Sequence, residues 1–206
     1  VDQHLPHIIK KKKRMRRYGL KMNPLKCAFG VSAGKFLGFI VHERGIEIDP
    51  SKIEAIKKIE APQCKRDMQK FLGKVNYLRR FISNLSGKVS AFTPILRLKR
   101  ENEFTWGAEQ QHAFDEIKKY LSTPPVLRAP KAGTLFQMYV AAEDNVIGAV
   151  LTQEIDEKEY VITYLSRRLL ETEQRYVFIE KLCLSLYHAC TRLRHYLLSS
   201  TCEIAC

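Results

Sequence analysis

The run from Leu20 to Ile56, LKMNPLKCAFGVSAGKFLGFIVHERGIEIDPSKIEAI, constrains the fold more than any other part of the chain. It sets a turn, a short strand pair and a capped helix in a fixed order. Asn23-Pro24 ends the basic helix expected before it, because a residue preceding proline is pushed out of the α region. Phe36 to Val41 reads as a buried strand, with Gly38 marking a place where another backbone can approach closely. Ser51 and Glu54 form an S-x-x-E capping box, and the helix it opens carries Ile53, Ile56 and Ile59 on one face.

Beyond it, Met68, Phe71, Leu72, Val75, Leu78 and Ile82 recur at helical spacing as one apolar stripe. Opposite the stripe lie Lys65, Arg66, Lys70, Lys74, Arg79 and Arg80. This pattern predicts an amphipathic helix that packs its stripe and turns its basic face to phosphates. No base-reading constellation accompanies it, so binding is expected to be salt-sensitive and largely independent of sequence. Residues 4 to 18 also read as helical and carry Lys10 to Lys13 with Arg14, Arg16 and Arg17. Such a cluster suits a nuclear localisation signal and a helix face beside a template backbone equally well. The net charge is +13, and the whole excess lies in residues 1 to 100, the remainder being net acidic. An uneven basic half points to a polyanionic partner.

From residue 99 to 131 the pattern is that of a connection. Thr105 can cap a helix in which Trp106, Phe114, Ile117 and Leu121 pack, and Pro124-Pro125 ends it. Leu135 to Ala142, Val146 to Gln153 and Glu159 to Ser166 then read as three strands. A long helix is expected from about Tyr176 to Leu197, with Leu182, Leu186, Ala189 and Leu193 on its apolar face. No apolar run approaches the ~20 residues of a bilayer span, and no signal peptide opens the sequence. The six cysteines show neither a C-x-x-C pair nor zinc-ligand spacing, and are expected to be reduced and mostly buried. The expected setting is intracellular, cytoplasmic or nuclear, without a membrane partner.

In this order and spacing the motifs resemble those of gypsy-type LTR retrotransposon Pol polyproteins. In that family the run matched by Asn23-Pro24-Leu25-Lys26-Cys27 carries a lysine loop beside the polymerase site. The run matched by Phe36-Leu37-Gly38-Phe39 is the hairpin that grips the primer end, and Gly45 to Ile56 leads into the thumb. Phe104, Trp106, Ala113-Phe114 and Pro125-Val126-Leu127 match the segment joining thumb to RNase H. Gly148 to Gln153, Tyr164 to Arg167 and Arg194 to Leu197 match the RNase H-like region. The resemblance implies an α+β chain in four parts. Residues 1–50 are the end of a reverse transcriptase palm, 51–98 a helical thumb, 99–132 a connection, and 133–206 a truncated RNase H-like domain of mixed sheet plus helix. Val1 in place of a methionine fits a piece of a longer polyprotein, whose remainder would be a partner.

What the resemblance implies for chemistry must be carried residue by residue. The family activities are RNA-directed DNA polymerase and ribonuclease H, both with Mg²⁺. Lys26 matches a lysine that serves as general acid toward departing pyrophosphate, whereas the polymerase aspartates belong upstream of Val1. RNase H cleavage needs carboxylates around two metal ions. Ala141 and Leu182 stand at two of those positions, and a third aspartate is expected past Cys206. Glu143, Asp144 and Glu180 lie near but are misplaced for substitution, if side chains alternate along the strand and turn about 100° per helical residue. The expectation is therefore no bound metal and no catalysis by this polypeptide itself. Its expected role is to hold a primer–template duplex or RNA–DNA hybrid through Phe36, Leu37, Gly38, Phe39 and the six basic residues from Lys65 to Arg80. The alternative is a structural or non-functional remnant of a decayed element.

Overall fold

The computed structural model describes residues 4–98, 103–198 and 200–206. The opening residues of the expected connection, 99–102, lie outside the described residues. Helix α1 (His4–Arg17) leads to a 3-10 turn (Pro24–Lys26) whose cap is Asn23, its side chain accepting the Leu25 N–H at 3.0 Å. A three-stranded antiparallel sheet follows in the order β1 (Ala33–Phe36), β2 (Phe39–His42), β3 (Gly45–Ile48). Helices α2 (Pro50–Lys57), α3 (Lys65–Tyr77), α4 (Leu85–Lys88), α5 (Thr93–Arg97) and α6 (Ala108–Ser122) come next, interleaved with 3-10 turns. The second half holds β4 (Phe136–Ala142), β5 (Val146–Ile155), β6 (Lys158–Arg168), α7 (Phe178–Arg192), α8 (Arg194–Leu197) and β7 (Cys202–Ala205).

Several local expectations need correction. Phe36 to Val41 is not one buried strand: Leu37 and Gly38 both take positive φ, 48° and 75°, which is the backbone of a two-residue hairpin turn. Helix α2 starts two residues before the expected box. Asp49 is the cap, accepting the Ser51 N–H at 3.0 Å, and Pro50 supplies a pre-set φ at the first helical position. Gly107 rather than Thr105 caps α6, its N–H reaching Gln110 at 3.1 Å, so Trp106 stands outside the helix. The apolar stripe from Met68 to Ile82 bends, because α3 stops at Tyr77 and a 3-10 turn over Arg79–Phe81 carries the chain on. The long C-terminal helix is shorter than expected. A 3-10 turn ending at Arg175 precedes it, and Leu193, at φ −100° and ψ 11°, separates α7 from α8.

Residues from α2 to α6 share one core. Met68, Phe71 and Val75 of α3 pack with Phe81, Phe92, Phe114, Ile117, Leu121 and Leu127. Trp106, half-buried, stacks on Phe92 and meets Phe114 edge-on, while its indole N–H donates to Gln111 at 2.8 Å. Each buried phenylalanine contributes about 1.5–3 kcal/mol of transfer free energy. The second core lies between the β6-β5-β4-β7 sheet and α7, where Phe136, Met138, Val140, Ala149, Leu151 and Ile162 meet Ala189 and Leu193. Strand β7 runs parallel to β4 while the other pairs are antiparallel, giving a mixed sheet. Asp156 and Glu157 take φ 53° and 58° to close the β5–β6 hairpin in two residues.

The two halves are fastened together. Val161 and Tyr164 of β6 pack on the first core, the Arg128 N–H donates to the Val161 carbonyl at 2.8 Å, and the Ser86 N–H donates to Ser166 Oγ at 2.9 Å. Cysteine burial falls short of the expectation. Cys27, Cys64, Cys190 and Cys202 are half-buried, and Cys183 and Cys206 are exposed. No helix among the described residues is long and apolar enough to cross a membrane.

Candidate nucleic-acid interface

The β1–β2 hairpin carries its tip outward. Phe36 and Leu37 are exposed, the latter at 71%. A leucine at positive φ costs about 1–3 kcal/mol, so the tip persists only because its surroundings hold it. The Tyr77 hydroxyl donates to the Leu37 carbonyl, and Phe39 stacks on the rings of Tyr77 and Phe81. The Asp49 N–H donates to the Gly38 carbonyl at 3.4 Å. Asp49 also pairs with Lys35 at 3.1 Å, and the Ser51 N–H, followed by Lys35, holds its carboxyl below the usual range. A Cβ at Gly38 would stand 3.0 Å from the Tyr77 hydroxyl, so glycine lets the hairpin close on α3.

Beside this tip, α3 presents Arg66, Gln69, Lys70, Gly73, Lys74 and Tyr77 to the outside. They fall at i, i+3, i+4, i+7, i+8 and i+11, one helical face. Open space surrounds Gly73, so a ligand backbone can come close to the helix there. Lys70 pairs with Asp67 at 3.1 Å. Two of the six basic residues expected on this face have partners elsewhere in the chain. Lys65 is half-buried and donates to the Leu98 carbonyl at 2.6 Å, and Arg80 donates to the Tyr196 hydroxyl at 3.2 Å. Arg79 follows the end of α3 and points into a separate cleft. Sequence reading missed Gln69, Gly73 and Tyr77, although their spacing of four residues was a usable signal. Lys26 ends the 3-10 turn after Asn23 and is exposed, without a side-chain partner among the described residues.

That cleft, of about 550 Å³, opens between the C-terminal end of α3 and the β6–α7 surface. Arg79, Asn76, Ser86, Ser166, Arg167, His188 and Arg192 line it. Arg167 is held by both Glu173 oxygens at 2.7 and 2.9 Å. Burial pushes Glu173 up, but Arg167 and the Leu170 N–H outweigh it and leave the carboxyl below its usual range. Burial, followed by Arg167 and Arg192, holds the His188 imidazole below its usual range, with Glu173 opposing. Neither Arg79 nor Arg192 has a side-chain hydrogen bond or ion pair among the described residues.

The expected metal positions do not come together. Phe136, Met138 and Val140 face α7, so alternation turns Ala141 to the opposite side of the sheet, where it lines a cleft with Tyr139, Ser83 and Asn84. Leu182 is on α7, half-buried. The expected apolar face of α7 is also rotated. Lys181 and Ser185 are its buried residues, together with Ala189, and Leu182 and Leu186 flank them. Lys181, only 7% exposed, donates to the Asp144 carbonyl at 3.1 Å, and Ser185 donates to the Gly148 carbonyl at 2.8 Å. Strand β4 ends at Ala142, as its expected bounds have it, so Glu143 and Asp144 belong to a turn. The Glu180 carboxylate accepts the Val177 N–H at 3.1 Å as part of a helix cap. No group of three or more His, Cys, Asp or Glu among the described residues could hold a metal ion. With alanine and leucine at the expected carboxylate positions and the Lys181 ammonium buried at the Asp144 carbonyl, these residues do not fit a divalent cation.

Residues 106–204 match the family described as the RNase H-like domain found in reverse transcriptase. The Tf2-3, Tf2-4 and Tf2-5 transposon polyproteins of Schizosaccharomyces pombe are each 30% identical to the chain over 200 residues, 97% of its length. The chain belongs to the reverse transcriptase and RNase H region of gypsy-type LTR retrotransposon polyproteins. It spans 15% of the length of those Tf2 polyproteins. As a retrotransposon polyprotein segment it covers the thumb, connection and RNase H-like region. A solved foamy viral protease-reverse transcriptase in complex with RNA/DNA hybrid has the same fold, with TM-score 0.84 and 21% identity over 99% of this chain and 28% of that one. Another, in complex with dsDNA, aligns with TM-score 0.83 over 98% of this chain and 42% of that one.

Proposed function

We propose that this retrotransposon segment holds a primer–template duplex or RNA–DNA hybrid and does not itself cut or copy it. The observation that carries the reading is the hairpin tip clamped against α3: Leu37 stays exposed while Tyr77 fixes its carbonyl beside the outward Arg66, Gly73 and Lys74. Cations in a row near an open glycine suit a phosphate backbone and offer no base-specific code. The apolar tip suits the terminal sugar or base of a strand. Phe36, Leu37, Gly38 and Phe39 form the grip in this reading, and Arg66, Lys70 and Lys74 the phosphate contacts. Lys65 and Arg80 position the helix through Leu98 and Tyr196.

The foamy viral protein bound to RNA/DNA hybrid supports this choice of ligand. Polymerase and ribonuclease H activity belong, in this reading, to the longer polyprotein, where Lys26 would serve as general acid. The RNase H-like sheet acts here as a platform under the thumb, because its ligand positions hold Ala141 and Leu182. The test incubates the chain with labelled RNA–DNA hybrid and Mg²⁺ or Mn²⁺, measuring binding across salt and cleavage together. Binding that weakens steeply with salt, with the hybrid left intact, is expected. Salt-independent binding, or cleavage lost in Asp144→Asn, would overturn the reading.

A further inference from the structure

Arg79 and Arg192, without a side-chain hydrogen bond or ion pair among the described residues, bring two guanidinium groups to one cleft from opposite halves of the chain. We propose that this cleft is a phosphate-binding subsite for the backbone of a nucleic-acid duplex, joining the thumb to the RNase H-like sheet. The proposal rests on the duplex-binding reading above and extends it to a second place.

The charge balance favours an anion. Among the described residues Glu173 is the one carboxylate in ion-pair contact with the cleft's cations, and it is engaged by Arg167, which leaves Arg79 and Arg192 uncompensated there. Guanidinium groups present planar donor forks that match phosphate oxygens. Asn76 adds a side-chain amide, and Ser86 and Ser166 add hydroxyl groups, so the floor offers neutral donors between the cations. Asn76 also follows Gly73 by three residues, which makes the two neighbours on the α3 surface. A backbone lying along Arg66, Gly73 and Lys74 can therefore continue into the cleft. The Ser86 to Ser166 hydrogen bond at 2.9 Å and the Arg80 to Tyr196 contact at 3.2 Å hold its two walls in register. Two charges on separate elements thus meet one rigid, curved ligand.

The experiment compares wild type, Arg79→Gln/Arg192→Gln and Arg66→Gln/Lys74→Gln for binding to an RNA–DNA hybrid over a salt series. Each phosphate contact removed lowers the log–log salt slope by about 0.9. The cleft double variant is expected to show a slope shallower by roughly 2, with an unfolding midpoint unchanged above the pH window in which His188 titrates, because among the described residues neither arginine has a side-chain hydrogen bond or ion pair. A cleft variant with the wild-type slope, beside a shallower Arg66→Gln/Lys74→Gln, would overturn the cleft while leaving the thumb reading in place. Wild type that binds no hybrid would overturn both. Inorganic phosphate is titrated separately. If it raises the melting temperature of wild type but not of the cleft variant, while the hybrid slope is unchanged, the site takes free phosphate and the duplex assignment is wrong.

Discussion

Tyr77 stacks on Phe39 with ring centroids 5.2 Å apart and planes 9° from parallel, and its hydroxyl donates to the carbonyl of Leu37 two residues before that ring. One side chain of α3 thereby fixes both the base and the tip of the β1–β2 hairpin. The clamp lets an exposed leucine stay at positive φ, and so presents an apolar tip at a defined place beside a basic helix face. Stability and ligand binding should therefore separate cleanly at this joint.

Tyr77→Phe keeps the stack and removes one hydrogen bond, and should cost about 1 kcal/mol. Phe39→Ala removes a half-buried ring from between Tyr77 and Phe81, and should cost about 3 kcal/mol, the lower end for phenylalanine truncation. Urea unfolding midpoints check both. Hybrid affinity should fall more than the small stability loss accounts for in Tyr77→Phe, because the tip loses its anchor.

Gly45 takes φ 144°, and a Cβ there would collide with the Leu127 carbonyl, which accepts the Ile46 N–H. Gly45→Ala should cost at least ~1 kcal/mol and loosen β3 from the segment at Leu127. Faster hydrogen exchange at the Ile46 and Leu127 amides, with α7 amides unaffected, is the expected pattern.

His188 sets a pH dependence. Burial, Arg167 and Arg192 hold its folded-state pKa below the ordinary 6.5, against the pull of Glu173. As pH falls through 6.5 the unfolded chain binds this proton first, so stability declines from there down toward the depressed folded value. Above that window the contribution is flat. Melting temperatures of His188→Gln should lack this part of the acid-side decline, leaving the fall at lower pH where Glu173, Asp49 and Asp67 protonate.

Restoring carboxylates should not restore a nuclease. Ala141→Asp/Leu182→Glu places one acid on the sheet face turned away from α7 and the other on α7 beside the buried Lys181. Incubation of the double variant with hybrid and Mn²⁺ should give no cleavage. Product formation above the wild-type background would show that the two positions can meet. Ser185→Ala should lower stability by about 1 kcal/mol through loss of its bond to Gly148.

The order of elements was legible because it is local. Asn23-Pro24, the α3 stripe and the three strands each act on near neighbours, and the motifs at family spacing identified the polyprotein region, whereas the turn at Leu37-Gly38 lies inside a run that reads as one strand. Boundaries shifted by a residue or two where a better cap stood nearby, Asp49 for Ser51 and Gly107 for Thr105. The basic face was legible only as composition along a helix. Which of its cations remain free depended on carbonyls and hydroxyls far along the chain: Leu98 takes Lys65 and Tyr196 takes Arg80. Arg192 and His188 carried no signal at all, since a cleft between α3 and α7 is a property of how two cores pack. The sequence by itself therefore determined the kind of protein and its longer helices and strands, through short-range steric and periodic rules, while the short helices α4 and α5 and the parallel strand β7 emerged only in the fold. Tertiary structure alone decided the charged surface and the disposition of Ala141, Leu182 and Lys181, because burial, pairing and facing depend on residues distant in sequence.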